Sequence, residues 1–234
     1  MKRALYYDTE TTGVKAERDR IIEIAVYDAT HDKTYCSFVN PGVPIPEEST
    51  QITGITTEMV KDAPSWSEVG KAFFEFCGDD GVLIAHNNDN FDIHFLNEEC
   101  KRSNMEMPHV ETIDTLKWSR KYRPDLPRHS LQYLREVFGF EKNNAHRALD
   151  DVYMLHKIFT LMIGDLTVEQ VMECMSQKIS EEIFSMPFGK HKGKPLKKLP
   201  SNYLKWLAGS GALDKADNEN LKDSLEKLGL LTNA

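Results

Sequence analysis

Asp8 and Glu10 are two carboxylates spaced to act on one ion. They sit in Asp8-Thr9-Glu10-Thr11-Thr12-Gly13, directly after the apolar stretch Ala4-Leu5-Tyr6-Tyr7. Along a strand, residues i and i+2 point to the same face, so both side chains can reach a common point. Hard oxygen donors suit Mg²⁺ or Mn²⁺, and Mg²⁺ keeps water and phosphate oxygens on its remaining positions. Thr11-Thr12-Gly13 then turns the chain away and leaves backbone available near a substrate. A second acid, Asp92, ends His86-Asn87-Asn88-Asp89-Asn90-Phe91-Asp92, which follows the apolar run Val82-Leu83-Ile84-Ala85. A third motif, His146-Arg147-Ala148-Leu149-Asp150-Asp151, enters an apolar-periodic helix.

Each motif alone has an ordinary alternative. The acid pair could be solvated at a strand end, Asp92 could cap the helix that follows it, and His146 could be a capping or surface histidine. Residues five apart on a helix differ by roughly 140° in direction. His146 is therefore expected in a loop or first turn, with Asp151 reaching the site from inside the helix. Asp150 reads as solvent-facing or paired with Arg147. Joint occurrence changes the weighing: a shared metal site explains why distant carboxylates stand at the ends of apolar strands. Two divalent ions about 3.5–4 Å apart can activate a water and stabilise the leaving 3′ oxygen of a phosphodiester. A histidine titrating near neutrality suits the proton of that water.

The elements that must position these residues alternate. Strands are predicted over 4–8, 21–27, 34–39, 82–86 and 110–114, from β-branched content and alternation. Pro41-Gly42-Val43-Pro44-Ile45-Pro46 marks a loop. A helix over 66–77 is capped by Ser65, with Glu68 completing the capping box. Further helices are expected over 92–103, 114–121, 130–138 and 147–162. This pattern is an α/β domain, a central sheet flanked by helices with its site along one edge. The domain is expected to span 1–165. A helical connector over 166–183, with Thr167 as N-cap, leads to a small module over 184–234.

Composition sets limits. The chain has 234 residues and a formal net charge of −8. No apolar run approaches the roughly 18 residues of a membrane span, and Met1-Lys2-Arg3 leads straight into a strand rather than a secretory signal. Cys36, Cys77, Cys100 and Cys174 show no CxxC spacing, so reduced thiols and a cytoplasmic protein without a zinc site are expected. The negative charge is uneven: residues 1–165 carry 19 Lys+Arg against 28 Asp+Glu, and residues 166–234 carry 10 against 9. Bound divalent ions would offset the four proposed ligands.

The three motifs, in this order, resemble the DnaQ-like (DEDDh) family of 3′–5′ exonucleases, of the polymerase III epsilon-subunit and exonuclease X type. The resemblance covers residues 4–162 and implies a ribonuclease-H-like fold with a mixed sheet. It implies two divalent ions, Mg²⁺ with Mn²⁺ substituting, held by Asp8, Glu10, Asp92 and Asp151, and His146 as general base. Ile52-Thr53-Gly54-Ile55 resembles the family's HGI(T) segment, with Thr53 where a histidine is common. With Thr9, Thr11, Thr12, His86, Asn87 and Phe91, these residues are expected around the terminal nucleotide. Asp114, in Ile113-Asp114-Thr115-Leu116, is read as structural. The implied substrates are single-stranded or frayed 3′ ends, DNA favoured, with a DNA polymerase subunit as a possible partner and no membrane. RNA 3′-end processing and a non-catalytic docking subunit are the rival readings.

Residues 186–207 hold six lysines and no acid. They resemble an FGKxKG…P.YL.WL module appended to some members of that family. Phe188, Leu196, Leu199, Tyr203, Leu204, Trp206 and Leu207 could form a miniature core, with Lys190, Lys192 and Lys194 contacting phosphates. A lysine loop on a protein-docking module is the alternative.

Overall fold

The structure is a computed structural model that describes residues 2–141, 147–177, 183–214 and 218–231. Five strands form one mixed sheet in the order β3-β2-β1-β4-β5. They are β1 (Arg3–Thr11), β2 (Ile21–Asp28), β3 (Lys33–Phe38), β4 (Gly81–Ala85) and β5 (Glu111–Asp114). β1, β2 and β3 pair antiparallel through short connections. β1, β4 and β5 run parallel, which requires crossovers. Helices α3 (Trp66–Cys77) and α4 (Asp92–Arg102) supply them. The capping box at Ser65 and Glu68 is present.

The central strand shows why both faces are covered. Leu5 and Tyr7 pack on one side with Trp66, Phe73 and Phe95. Tyr6 points to the other side and packs with Val152, Leu155 and Phe159 of α7 (Ala148–Ile163). Alternate residues of one strand thus feed two cores, as the two-residue repeat demands. β2 is buried along its whole length, matching a run that is apolar but for Glu23 and the terminal Asp28.

Several elements differ from expectation. The stretch after the proline-rich loop holds α1 (Glu47–Thr53) and α2 (Thr57–Val60). Pro46 precedes α1, Glu47 and Glu48 stand in its first turn, and Gly54 closes it at φ 72°. That is the proline-start, glycine-stop asymmetry of helices, and it was available in the sequence. α5 (Thr115–Tyr122) and α6 (Leu131–Val137), by contrast, stand where helices over 114–121 and 130–138 are predicted.

α8 (Val168–Ser176) is the helix expected as a connector, with Gln170 N donating to the Thr167 hydroxyl. It packs on the first unit instead: Val171 is buried with the α7 core, and Lys121 Nζ donates to Cys174 O at 2.6 Å. The chain divides into units ending at Met175 and beginning at Ser176. The second unit contains α9 (Ser201–Gly209) and α10 (Glu219–Lys227) around Met186, Leu196, Leu199, Leu204, Leu207, Leu221 and Leu225. Tyr203 also belongs to that core, whereas Trp206, expected in it, is 58% exposed. Among the described residues no helix is long and apolar enough to cross a membrane.

Candidate active site

β1 carries Asp8 and Glu10 to its C-terminal end, where its register with β2 shifts between Glu10 and Thr11. α7 brings Asp151 to the same place. Ligand oxygens of Asp8, Glu10 and Asp151 lie within 4.8 Å of one another. Asp92, the first residue of α4, is buried and accepts a hydrogen bond from the Thr9 hydroxyl at 2.7 Å. The three-carboxylate cluster and the tethered fourth acid come from three elements far apart in sequence.

These acids suffer from one another's company. Burial, then the charges of Asp92, Glu10 and Asp151, raise the Asp8 carboxyl well above its usual range. Burial, then Asp151 and Glu23, push Glu10 up to about 8. Burial pushes Asp92 up to about 7, against the opposing hydrogen bond from Thr9. Buried carboxylates this close are costly unless a cation compensates them. The donor set is all oxygen, which fits Mg²⁺ or Mn²⁺ rather than a soft metal.

Glu23 explains how α7 is held in register. It lies opposite Glu10 on the antiparallel partner strand, a destabilising juxtaposition in itself. It accepts from Ala148 N at 3.1 Å, and Arg147 Nη2 donates to it at 3.0 Å. The first turn of α7 is thereby tied to β2, and Asp151 follows one turn later. Arg147 therefore pairs with Glu23 rather than with Asp150. His146 lies outside the described residues.

A cleft of about 570 Å³ opens beside the carboxylates. Thr9, Thr11, Thr12, Ile52, Thr53 and Phe91 line it with Asp8, Glu10 and Asp151. The threonine hydroxyls are committed internally: Thr11 to Gly13 O, and Thr53 to Ser49 O. Thr12 Oγ1 accepts from Arg20 N. The sequence reading missed Val14, Arg18, Asp19, Pro46, Glu48 and Ser49, which also line the cleft. Val14 is 77% exposed and Ile52 is 59% exposed, apolar side chains offered to solvent at its mouth. An apolar residue in an otherwise polar turn, Gly13-Val14-Lys15, was the available signal for Val14.

Four residues expected at the substrate lie elsewhere. Ile55 is fully buried with Ile22, Ile45 and Val60, and Gly54 serves as the α1 cap. Asn87 takes a left-handed conformation, φ 73°, in the turn before α4. His86 places Nδ1 2.9 Å from the Thr115 hydroxyl, and burial pushes its ring down to about 4. Asp114 organises that turn: it accepts from Asn87 N at 3.1 Å, Asp89 N at 3.2 Å and Leu116 N at 2.9 Å. The His86–Asp89 stretch thus positions Asp92 rather than lining the cleft.

Comparison with known proteins adds a family. A family model described as "Exonuclease" matches residues 5–159. A second, described as "Putative quorum-sensing-regulated virulence factor", matches residues 176–215. The DNA polymerase III subunit epsilon of Treponema pallidum is 37% identical over 165 residues, 68% of this chain and 75% of that protein. A PolC-type DNA polymerase III of Caldanaerobacter subterraneus is 36% identical over 183 residues, but the matched region spans only 13% of the polymerase. Among solved structures, exonuclease X in complex with 5′-overhanging duplex DNA is 25% identical with a TM-score of 0.58. It covers 74% of this chain and 99% of that one.

Proposed function

The chain belongs to the DnaQ-like exonuclease family, and we propose that it hydrolyses phosphodiester bonds from the 3′ end of DNA, releasing nucleoside monophosphates. One observation carries the proposal: Asp8, Glu10 and Asp151 converge within 4.8 Å at the edge of an open cleft. A binding module has no use for mutually repelling buried carboxylates. Their cost is offset when cations arrive with the substrate.

Asp8, Glu10, Asp92 and Asp151 would hold the metal, and their four formal charges match two divalent ions, Mg²⁺ or Mn²⁺. When bound, such ions polarise the scissile phosphate and acidify an attacking water. Thr9 fixes the orientation of Asp92 through its hydroxyl. Glu23 and Arg147 fix the start of α7 and hence Asp151. His146, immediately before Arg147 in the chain, is proposed as the base that takes the water's proton. Val14, Ile52 and Phe91 present apolar surface to the terminal nucleotide, and Arg18 is the cationic residue among those lining the cleft. The cleft volume falls in the range of small-ligand pockets, which favours a frayed or single-stranded end over intact duplex.

DNA is favoured because the relatives are DNA polymerase subunits and a DNA exonuclease. Association with a polymerase is a further part of the proposal, on the same ground. A cytoplasmic setting accords with Cys36, Cys77, Cys100 and Cys174 all being free thiols.

Asp8→Ala tests the assignment. Turnover on a 3′-ended oligonucleotide should vanish while the circular dichroism spectrum stays that of the wild type; full activity in the variant would refute it. His146→Ala should lower kcat by about 10²–10⁴-fold, the usual contribution of a general base, while Mn²⁺ binding persists. An unchanged kcat would remove His146 from its role.

A further inference from the structure

The second unit carries an aromatic and basic surface that the hydrolytic site does not use. Tyr203 and Trp206 are one turn apart on α9, and their rings stack with centroids 5.5 Å apart and planes 28° apart. Tyr203 is buried, so its ring is fixed by the core of this unit, while Trp206 stands out into solvent. His191 meets the Tyr203 ring edge-on at 4.4 Å, and Lys190 Nζ lies 5.5 Å from the same ring centroid. A cleft of about 480 Å³ is bounded by Phe188, Gly189, Lys190, Asn202, Tyr203 and Trp206. Gly189 turns the chain at the rim of this cleft with a φ of +70°, a left-handed conformation that favours glycine.

The stretch of chain that forms this cleft carries charge of one sign. Lys190, Lys192, Lys194, Lys197, Lys198 and Lys205 fall in a stretch, residues 183–213, that contains no Asp or Glu. None of the six makes an ion pair among the described residues. Five of them are exposed. Lys190 borders the exposed, rigidly backed indole, and the other five lysines follow within the next 15 residues of the chain. Lysines track a phosphate backbone without reading sequence, and an aromatic face accepts any base that is not already paired.

We infer that this surface, with Trp206 as the stacking platform and Lys190, Lys192 and Lys194 as phosphate contacts, binds single-stranded nucleic acid. Bases within a duplex keep their faces covered, so unpaired strand is the partner that uses both halves of the surface. An acidic peptide would use the lysines but leaves the indole without a base-like plane. The inference does not rest on the hydrolytic proposal.

The test uses the full chain in EDTA, where turnover is off, with fluorescein-labelled dT20 followed by anisotropy. Trp206→Ala should weaken binding about tenfold, the usual range for one stacked base, and Trp206→Phe should restore most of it. The triple variant Lys190→Gln, Lys192→Gln, Lys194→Gln should reduce the slope of log affinity against log salt by about 2. Trp206 is exposed, so its replacement leaves the core of the unit intact, and Trp206→Phe controls for folding. Unchanged affinity and salt slope in these variants would overturn the inference. So would a poly-glutamate peptide, or blunt duplex, competing as well as dT20. Hydrolysis of a trinucleotide in Mg²⁺ is measured alongside. Loss of binding in Trp206→Ala with no hydrolysis in the wild type would keep this surface and sink the exonuclease proposal. Hydrolysis with unchanged binding would do the reverse.

Discussion

At the residue scale, the molecule stores repulsion where it expects a cation. Glu10 has an ordinary value of 4.5 and is pushed to about 8 by burial and by Asp151 and Glu23. Asp92 goes from 3.8 to about 7. Groups whose folded pKa is raised hold their protons more tightly in the fold than in the unfolded chain. The stability they contribute is complete below about pH 4 and is lost as pH rises to about 8. In EDTA the melting temperature should therefore fall between pH 5 and 8.5, and Mg²⁺ or Mn²⁺ should flatten that slope. A melting temperature in EDTA that is level across this range would show that the carboxylates do not repel. The four acids were legible in the sequence because each ends an apolar run or enters a periodic helix. Arg18 was not, since its place in the cleft depends on how the loop from Gly13 to Asp19 folds back. That loop is closed by Asp19 accepting from Lys15 N at 2.9 Å, a bond no periodicity announces.

At the element scale, the site depends on one helix start. β1 and α7 meet through Tyr6 against Val152, Leu155 and Phe159, and Glu23 pins the first turn of α7 by accepting from both Arg147 and Ala148. Glu23→Ala leaves the Ala148 amide without its acceptor, a loss of about 1–2 kcal/mol that relief of the repulsion with Glu10 partly offsets. Denaturant unfolding should read that loss. Kinetics should read a fall in kcat of about tenfold, with KM little changed, because β1 and α1 still form the cleft. An unaltered kcat would mean that Asp151 is held by something else. Glu23 was invisible in the sequence: it sits inside an apolar strand, and its partner lies 124 residues away. The strands themselves were legible, β2 from its apolar, β-branched-rich run and β1 from its position before the acids. α1 escaped the pattern because seven residues give too few turns for helical periodicity to outweigh the prolines before it.

At the scale of the whole molecule, two units with separate cores carry the two proposed sites. The first owns the carboxylates and the cleft; the second owns the lysines and the exposed indole. Their existence was legible from the change in charge balance near residue 165 and the aromatic and lysine spacing after 186. The boundary was not, because α8 has an apolar face that could equally serve a free linker or a packed helix, and its contacts with the first unit, Val171 in the α7 core and Cys174 O with Lys121, decide it. The most direct test of the central claim is degradation of matched DNA and RNA oligonucleotides, single- and double-stranded, labelled at the 5′ or 3′ end, in Mg²⁺, Mn²⁺ or EDTA. Metal-dependent shortening of 5′-labelled DNA one nucleotide at a time, early release of the 3′ label as a mononucleotide, and slower attack on RNA are the expected results. No degradation with either ion, or shortening from the 5′ end, would contradict the assignment of this cleft as a 3′–5′ exonuclease site.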